Sequence, residues 1–430
     1  MTVLDTLGLG FMAFALFLGA SNFIFPPLIG VLSGENLVQS MLGFLISAVG
    51  LPLITLVAVA KAKGNMVELL PPFVGLLLMA VIYIVLGPAY AIPRTGLVAY
   101  EIGLKPFISE PSDVMQFYYT LLFFGLAMLF ALYPGRLLDT IGKVLTPAMI
   151  FLLLILAGSL FFFDHTVFQA AVGKYAHQPF ISGFLDGYNT MDALGSIIFG
   201  MLLIETLKSK GVTKPADQSK YLIAAGFIAA LGLIVVYTSL FVLGGLTGTM
   251  LESAENGGMI LTTYVQHIFG GYGLVILAIV VTLACLTTAV GLLSSCAQFF
   301  QKIVPSWSYK QLVIGLTITC VVISNVGLEQ LIQVSIPVLY IAYPVAVVLV
   351  ALTFVRDRFA APEMSYKLCL VIAFFYGLLD ALKAIGMDLS FIYELNEEGL
   401  GWVLPSFIVM CALLKIDILP TQKRKVPQDH

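Results

Sequence analysis

Three short polar stretches hold most of the side chains in this sequence that could bind a solute or an ion. They read GASNFIFPP at residues 19–27, DGYNTMDALG at residues 186–195 and ACLTTAVGL at residues 284–292. The first two place amide and hydroxyl groups beside glycine or proline, which interrupt regular helices, and the second adds two carboxylates. The third offers two adjacent threonine hydroxyls, a type of oxygen that a hard cation such as Na⁺ favours.

The sequence lacks the motifs of several other chemistries. It contains no GxxxxGK[ST] loop, no HExxH motif and no Cys/His ligand spacing, so neither nucleotide hydrolysis nor a metal-dependent reaction is indicated. Nothing in the composition suggests a nucleic-acid partner. The five cysteines are scattered through apolar segments, and we interpret them as packing residues.

The elements that must position the polar stretches are membrane helices. Of the 430 residues, 60% are hydrophobic and 10% are charged, against about 25% charged in ordinary soluble domains. Crossing the hydrocarbon takes about 20 mostly apolar residues. We predict an all-α integral membrane protein with twelve transmembrane helices, at residues 6–32, 39–60, 72–97, 115–133, 138–163, 179–206, 221–245, 271–301, 311–326, 332–355, 366–386 and 399–418. The longest connections are expected at about 98–114, 164–178 and 246–270.

The basic residues predict the orientation of the chain. With a cytoplasmic N-terminus, every Lys and Arg except Arg94, Lys105, Lys174 and Lys383 falls on a cytoplasmic loop or tail. This is the asymmetry that the positive-inside rule describes, so both termini are predicted to be cytoplasmic. The N-terminal segment has no basic n-region, and we expect no cleaved signal peptide.

Two of the predicted spans contain breaks. Irregular backbone survives in hydrocarbon only where it lines a cavity or meets a ligand, and paired broken helices in two halves of a chain indicate a transporter site built on an inverted repeat. The breaks fall in spans 1 and 6, five apart. We therefore predict one transmembrane domain, 1–430, with a five-plus-five inverted repeat of discontinuous helices 1 and 6. The repeats are residues 1–163 and 179–355, followed by two additional helices in 366–418 and a cytoplasmic tail, 419–430.

Broken helices expose amides at the start of one half-helix and carbonyls at the end of the other. The amides attract an anion such as a carboxylate, and the carbonyls attract a cation. The two kinds of helix end could together hold a zwitterion and Na⁺ at the middle of the membrane. This arrangement needs few charged side chains, in agreement with the composition.

Several polar residues admit two interpretations. Asp192 could contact a substrate ammonium, Na⁺ or a proton, or it could bond a neighbouring amide in an aqueous vestibule, and a carboxylate at a helix centre costs about 3 kcal/mol. Thr287 and Thr288 could bind Na⁺ or only bond their own helix. Arg94 could form half of a gate, although snorkelling to the headgroups is the simpler interpretation. Asp380, close to Lys383, is interpreted as part of a local ion pair.

The sequence resembles a known family along nearly its whole length. The stretches FMAFALFLGASNFIFPPLIG, LGPAYAIPRT, LYPGRLLDT, DGYNTMDALG, YVQHIFGG, ACLTTAVGL and SNVGLEQLIQVSIPVL are similar to those of the bacterial branched-chain amino acid carriers. That family takes up leucine, isoleucine and valine by cation symport. More remotely, the arrangement resembles the LeuT-type fold of sodium-coupled amino acid transporters, whose first helix unwinds at a similar stretch.

The resemblance implies a set of site residues. It assigns substrate binding to the two breaks, with the amides of Ala20 and Ser21 at the substrate carboxylate. It assigns a sodium site to carbonyls of span 1 and to oxygens of span 8. Taken together with the break in span 6, the predicted substrate-binding residues are Gly19, Ala20, Ser21, Asn22, Tyr188, Asn189, Thr190 and Asp192, and the Na⁺ ligands implied by the resemblance are Ala15, Leu18, Ala284, Thr287 and Thr288.

The resulting hypothesis is a secondary symporter, and not an enzyme, in a bacterial cytoplasmic membrane. It would import branched-chain amino acids with Na⁺ by alternating access. Its partners would be the amino acid and the lipid bilayer, with no obligatory protein partner inferred. Three alternatives remain open: coupling to protons, a membrane enzyme that uses Asp186 and Asp192, and a passive channel.

Overall fold

The computed structural model describes residues 2–133, 146–162, 168–248, 256–359, 361–387 and 399–416. Within these residues the regular structure is helical, without a strand. The helices of the first part are α1 (Val3–Phe17), α2 (Ala20–Ser33), α3 (Leu37–Leu45), α4 (Leu51–Lys61), α5 (Pro72–Ile84), α6 (Ala91–Gly103), α7 (Asp113–Ala131) and α8 (Thr146–Ser159). Those of the second part are α9 (Lys174–His177), α10 (Pro179–Asp186), α11 (Asp192–Ser209), α12 (Pro215–Thr247), α13 (Gly257–Ile303), α14 (Tyr309–Ser324), α15 (Leu328–Val355), α16 (Pro362–Ala384) and α17 (Val403–Ile416).

The described helices are those of a multi-pass membrane protein. Eight segments, each of one or more helices, are long and apolar enough to cross a bilayer, and four shorter apolar helices accompany them. The prediction of an all-helical membrane protein is therefore confirmed. The count of twelve spans stays a prediction, and residues 138–145 and 163 of the fifth predicted span and 417–418 of the twelfth lie outside the described residues.

Both predicted breaks are present. The first separates α1, which ends at Phe17, from α2, which begins at Ala20, and Gly19 between them has extended backbone angles. The second separates α10 from α11 by a 3₁₀ turn at Gly187–Thr190. Met191 follows that turn with φ of 61°, a left-handed conformation that is uncommon for a residue with a side chain.

The three predicted connections are all partly helical, since α6 continues to Gly103 and α9 lies within 164–178. Residues 246–270 were expected to form the longest connection, but α12 continues to Thr247 and α13 begins at Gly257. Asn256 caps α13, since its side chain accepts a hydrogen bond from the amide of Met259 at 3.0 Å, and asparagine is a favoured N-cap. The helix then kinks at Gly270, where φ is 63°. Residues 249–255 lie outside the described part of the chain.

Glycine pairs bring two helix pairs into backbone contact. A Cβ on Gly30 of α2 would lie 2.2 Å from the Phe241 carbonyl oxygen of α12, and one on Gly244 would lie 2.1 Å from the Pro27 carbonyl oxygen. The pair α3 and α10 is equally close, because a Cβ on Gly183 would lie 2.0 Å from the Ser40 carbonyl oxygen. Small residues permit this type of approach in membrane helices. The half-helices α2 and α10, one from each break, are thus each packed backbone to backbone on another helix.

Candidate functional site

A small cavity lies between the two breaks. Its volume is about 30 Å³, close to the share of a single water molecule in the liquid. Both breaks, α6 and α13 contribute to its wall. The residues of the wall are Leu16, Phe17, Gly19, Ala20, Ser21, Asn22, Leu86, Ala91, Thr95, Thr190, Met191, Asp192, Gly195, Phe199, Thr288 and Leu292. Six of the eight residues predicted to bind substrate are therefore brought together here.

The other two residues predicted to bind substrate are outside this wall. The Tyr188 ring stacks on the Tyr343 ring of α15, with centroids 4.0 Å apart, and its edge meets Phe184. Asn189 contributes its carbonyl oxygen to a bond with Arg94 instead. The side chain of Tyr188 thus packs the second break against α15 and does not line the cavity.

The first turn of α2 lies in the wall of this cavity and has no side-chain cap. Gly19 stands at the N-cap and offers no side chain to bond the first amides of α2, and the first amides of a helix have no partner within the helix. These are the amides of Ala20 and Ser21. Gly19 also lies close to α13, because a Cβ there would be 3.2 Å from the Thr288 hydroxyl oxygen.

Asp192 connects the two breaks and a third helix. Its side chain is 4% exposed, and one carboxylate oxygen accepts hydrogen bonds from the Asn22 amide at 3.1 Å and from the Tyr237 hydroxyl at 2.8 Å. Asn22 also contacts the Tyr237 hydroxyl directly. Asp192 is therefore inside the protein and not in an aqueous vestibule, so that part of the alternative interpretation is wrong. Tyr237 was missed because nothing distinguishes it, in sequence, from other aromatic residues of an apolar span.

Arg94 does not snorkel. Its side chain is fully buried, and its guanidinium donates to the Ser21 hydroxyl at 2.9 Å, to the Asn189 carbonyl oxygen at 2.8 Å and to the Ser335 hydroxyl at 2.9 Å. Its Nε has no hydrogen-bond partner among the described residues. The prediction failed because α6 continues to Gly103, so Arg94, in the first turn of α6, lies well before the end of the apolar segment Pro72–Phe107.

Carbonyl and hydroxyl oxygens lie close together where the end of α1 meets α13. The Thr287 hydroxyl donates to the carbonyl oxygens of Ala284 at 2.8 Å and Ala15 at 3.3 Å. The Thr288 hydroxyl lies 3.4 Å from the Ala15 oxygen and 3.2 Å from the Leu16 oxygen. Because Ala15 and Leu16 are in the last turn of α1, their carbonyls lack helical partners. The cluster joins α1 to α13 through neutral oxygens alone.

Four of the five predicted sodium ligands belong to this cluster. The exception is Leu18, for which the described contacts bring Leu16 to Thr288 instead. The bond within α13 from Thr287 to Ala284 agrees with the simpler interpretation of that threonine, but the contacts with Ala15 cross to another helix. Neutral oxygens in this arrangement fit a hard monovalent cation. No group of three or more His, Cys, Asp or Glu residues that could hold a metal ion occurs in the described ranges.

The two aspartates of the alternative enzyme hypothesis engage different partners. Asp186 forms an ion pair with Lys174 at 2.6 Å and accepts a hydrogen bond from Tyr175. Asp192 is bonded to α2 and α12. The two carboxylates share no bonding partner among the described residues, unlike a pair that performs acid–base chemistry together.

The fold is shared by membrane transporters of known structure. The chain superposes on the nucleobase-cation-symport-1 family transporter Mhp1 with a TM-score of 0.60, covering 97% of this chain and 94% of that one at 14% identity. It superposes on MhsT, solved with L-phenylalanine, with a TM-score of 0.57, covering 96% and 98% at 16% identity. These likenesses show a LeuT-type fold.

The sequence places the chain more narrowly. The branched-chain amino acid transport protein family matches residues 2–419. The chain is 44% identical to the branched-chain amino acid transport system 3 carrier protein of Pseudomonas aeruginosa, covering 96% of each. It is 40% identical to the branched-chain amino acid permease BrnQ of Escherichia coli K12, covering 94% of each. The protein belongs to the branched-chain amino acid transport family. Its relatives are carriers and permeases, so the prediction of a transporter rather than an enzyme is confirmed.

Proposed function

We propose that this protein imports leucine, isoleucine and valine across a bacterial cytoplasmic membrane together with Na⁺, by alternating access. The substrate class is supported by the names of the relatives. The two breaks support a LeuT-type inverted repeat within twelve spans. The distribution of Lys and Arg supports cytoplasmic termini.

The cavity between the breaks offers a place for each part of the substrate. The amides of Ala20 and Ser21 receive the carboxylate at the start of α2. Asp192 receives the ammonium group. Apolar wall residues such as Phe199 and Leu292 contact the aliphatic side chain. The present volume of about 30 Å³ is too small for any amino acid, so substrate binding requires the half-helices to separate.

The observation that carries sodium coupling is the oxygen cluster of Thr287 and Thr288 against the end of α1. It ties the half-helix α1 to α13 immediately beside Gly19. A cation held there would stabilise one arrangement of the break over another. Downhill movement of one Na⁺ supplies about 2.3 kcal/mol per 100 mV of membrane potential, enough for about fiftyfold accumulation.

The test is Na⁺-dependent leucine uptake by the Thr288→Ala variant in proteoliposomes. We expect the Na⁺ concentration for half-maximal uptake to rise about tenfold, because one oxygen ligand is lost. Thr317→Ala is the matched control, since its buried hydroxyl bonds the Val313 carbonyl of its own helix. Sodium-activation curves of Thr288→Ala that match those of both wild type and control would remove Thr288 from the ion site.

Proton coupling is the second candidate, and the buried carboxylate of Asp192 is the observation that favours it. Intramembrane carboxylates act as proton relays in many transporters. Counterflow of labelled leucine with Na⁺ and pH varied independently separates the two candidates. Uptake driven by a pH gradient without Na⁺ would replace sodium by protons in the proposal.

A further inference from the structure

A second and larger cavity lies away from the site between the breaks. Its volume is about 520 Å³, within the usual range of small-molecule sites. Helices α9, α10, α15 and α16 and the residue Gly399 form its wall. Two wall residues adjoin the first site along the chain: Leu185 precedes the second break, and Ile336 follows Ser335, which bonds Arg94.

The wall of this cavity contains a buried carboxylate without a hydrogen bond. The Asp380 side chain is 3% exposed, and neither of its oxygens has a hydrogen-bond partner among the described residues. Lys383, on the same helix, and the Gly401 amide lie near it. Burying a carboxylate in this way is costly unless a partner is supplied. A ligand with a cationic donor would supply one.

The rest of the wall complements the other parts of an amino acid. Lys383 and Lys174 place two ammonium groups at the cavity. Lys174 is paired with Asp186, but an ammonium has three donors and can bond a second anion. Ile181, Leu185 and Ile336 form an apolar part of the same wall. An anionic acceptor, cationic donors and an aliphatic surface thus face one space.

We propose that this cavity is a second binding site for an aliphatic α-amino acid. Asp380 accepts hydrogen bonds from the ammonium group, Lys383 and Lys174 bind the carboxylate, and the apolar part of the wall contacts the side chain. The site rests on the substrate class proposed above, but it does not depend on the coupling ion. Its position beside α10 and α15 puts it next to the elements that close the first site.

The experiment is equilibrium binding of labelled L-leucine to the purified full-length protein in lipid nanodiscs. We expect the wild type to bind with two affinities and to saturate at about two molecules per chain, one for each cavity. Asp380→Asn should weaken one class by about tenfold or more, the equivalent of one charge-assisted hydrogen bond, and leave the other unchanged. Glu363→Gln is the control, because it removes an exposed carboxylate from the other end of the same helix.

A second variant keeps the test decisive if Asp380→Asn does not fold. Ala384→Trp puts a large ring into the same cavity from an exposed position at the end of α16, and it should remove the same class of leucine binding. A single binding class in the wild type, or two unchanged classes in whichever of the two variants fold, would overturn the proposal. A failure of sodium coupling is a separate result, since it would appear as Na⁺-insensitive uptake with both binding classes intact.

Discussion

The site between the breaks and the cavity at Asp380 treat buried charge in opposite ways. Arg94 and Asp192 are both almost completely buried, and each is bonded to more than one helix. Asp380 is equally buried but accepts no hydrogen bond from the described residues. A charge inside this membrane protein can therefore either hold helices together, as Arg94 and Asp192 do, or be buried without a hydrogen bond from the described residues, as Asp380 is.

The two cavities also differ in volume. Where the charges are bonded to the protein, the cavity holds about 30 Å³, and where the carboxylate has no such bond it holds about 520 Å³. Bonds across the breaks draw α2, α6 and α11 together. Loss of these bonds should therefore change transport, whereas changes at Asp380 should alter ligand binding and stability.

The largest effect is expected for Arg94→Met. The change removes the donor that links α6 to Ser21, Asn189 and Ser335. Leucine uptake should therefore fall by about tenfold or more, the equivalent of one hydrogen bond to a charged group. Uptake is measured at matched membrane abundance. Arg94→Lys keeps the charge but not the planar fork, and it should recover only part of the activity. Wild-type uptake by Arg94→Met would show that these bonds do not matter for transport.

Asp192→Asn should have the next largest effect. The amide keeps an acceptor for Tyr237 but loses the negative charge, so leucine binding at the first site should weaken by about tenfold. Insertion and thermal unfolding in detergent should change little. Equal leucine affinity in variant and wild type would mean that Asp192 only joins the helices.

Substitution by leucine should change the free energy of unfolding in opposite directions at Asp192 and Asp380. Asp192→Leu leaves the Tyr237 hydroxyl without its acceptor and the Asn22 amide with the Tyr237 hydroxyl alone, and it should lower the free energy of unfolding by about 1–3 kcal/mol. Asp380→Leu removes a buried charge that accepts no hydrogen bond from the described residues, and it should raise the free energy of unfolding by about 1 kcal/mol. Thermal unfolding of both variants in the same detergent measures the difference. Destabilisation by both changes would contradict the comparison.

Tyr237→Phe should have the smallest effect. It removes one of the two donors to Asp192 and keeps the ring that packs at the edge of Phe44. Hydrogen bonds between membrane helices average about 0.6 kcal/mol, so uptake should fall by about threefold. Tyr221→Phe, on the same helix but distant in sequence from the network, is a suitable control. A tenfold loss would indicate that Tyr237 contacts the substrate itself.

The sequence predicted the breaks because glycine, asparagine and proline act locally on the backbone. The same locality explains the placement of Gly19 and Asn22 at or beside the first break. The sequence could not predict the bonds of Arg94, because a charge so close to the end of the predicted span, 72–97, looks like one that reaches the headgroups. Contacts between helices determine the other site residues. The carbonyl of Leu16, and not that of Leu18 as predicted, lies beside Thr288, because the winding of the last turn of α1 selects which carbonyl faces α13.

The glycine contacts have a consequence for how the carrier moves. Helices in backbone contact cannot slide past each other without collision, so α2 should travel with α12 and α10 with α3. Each half-helix then moves as a rigid pair with its neighbour, and rotation of these two helix pairs can open or close the cavity between the breaks. Replacing Gly183 with alanine would push α10 away from α3, and replacing Gly30 with alanine would push α2 away from α12.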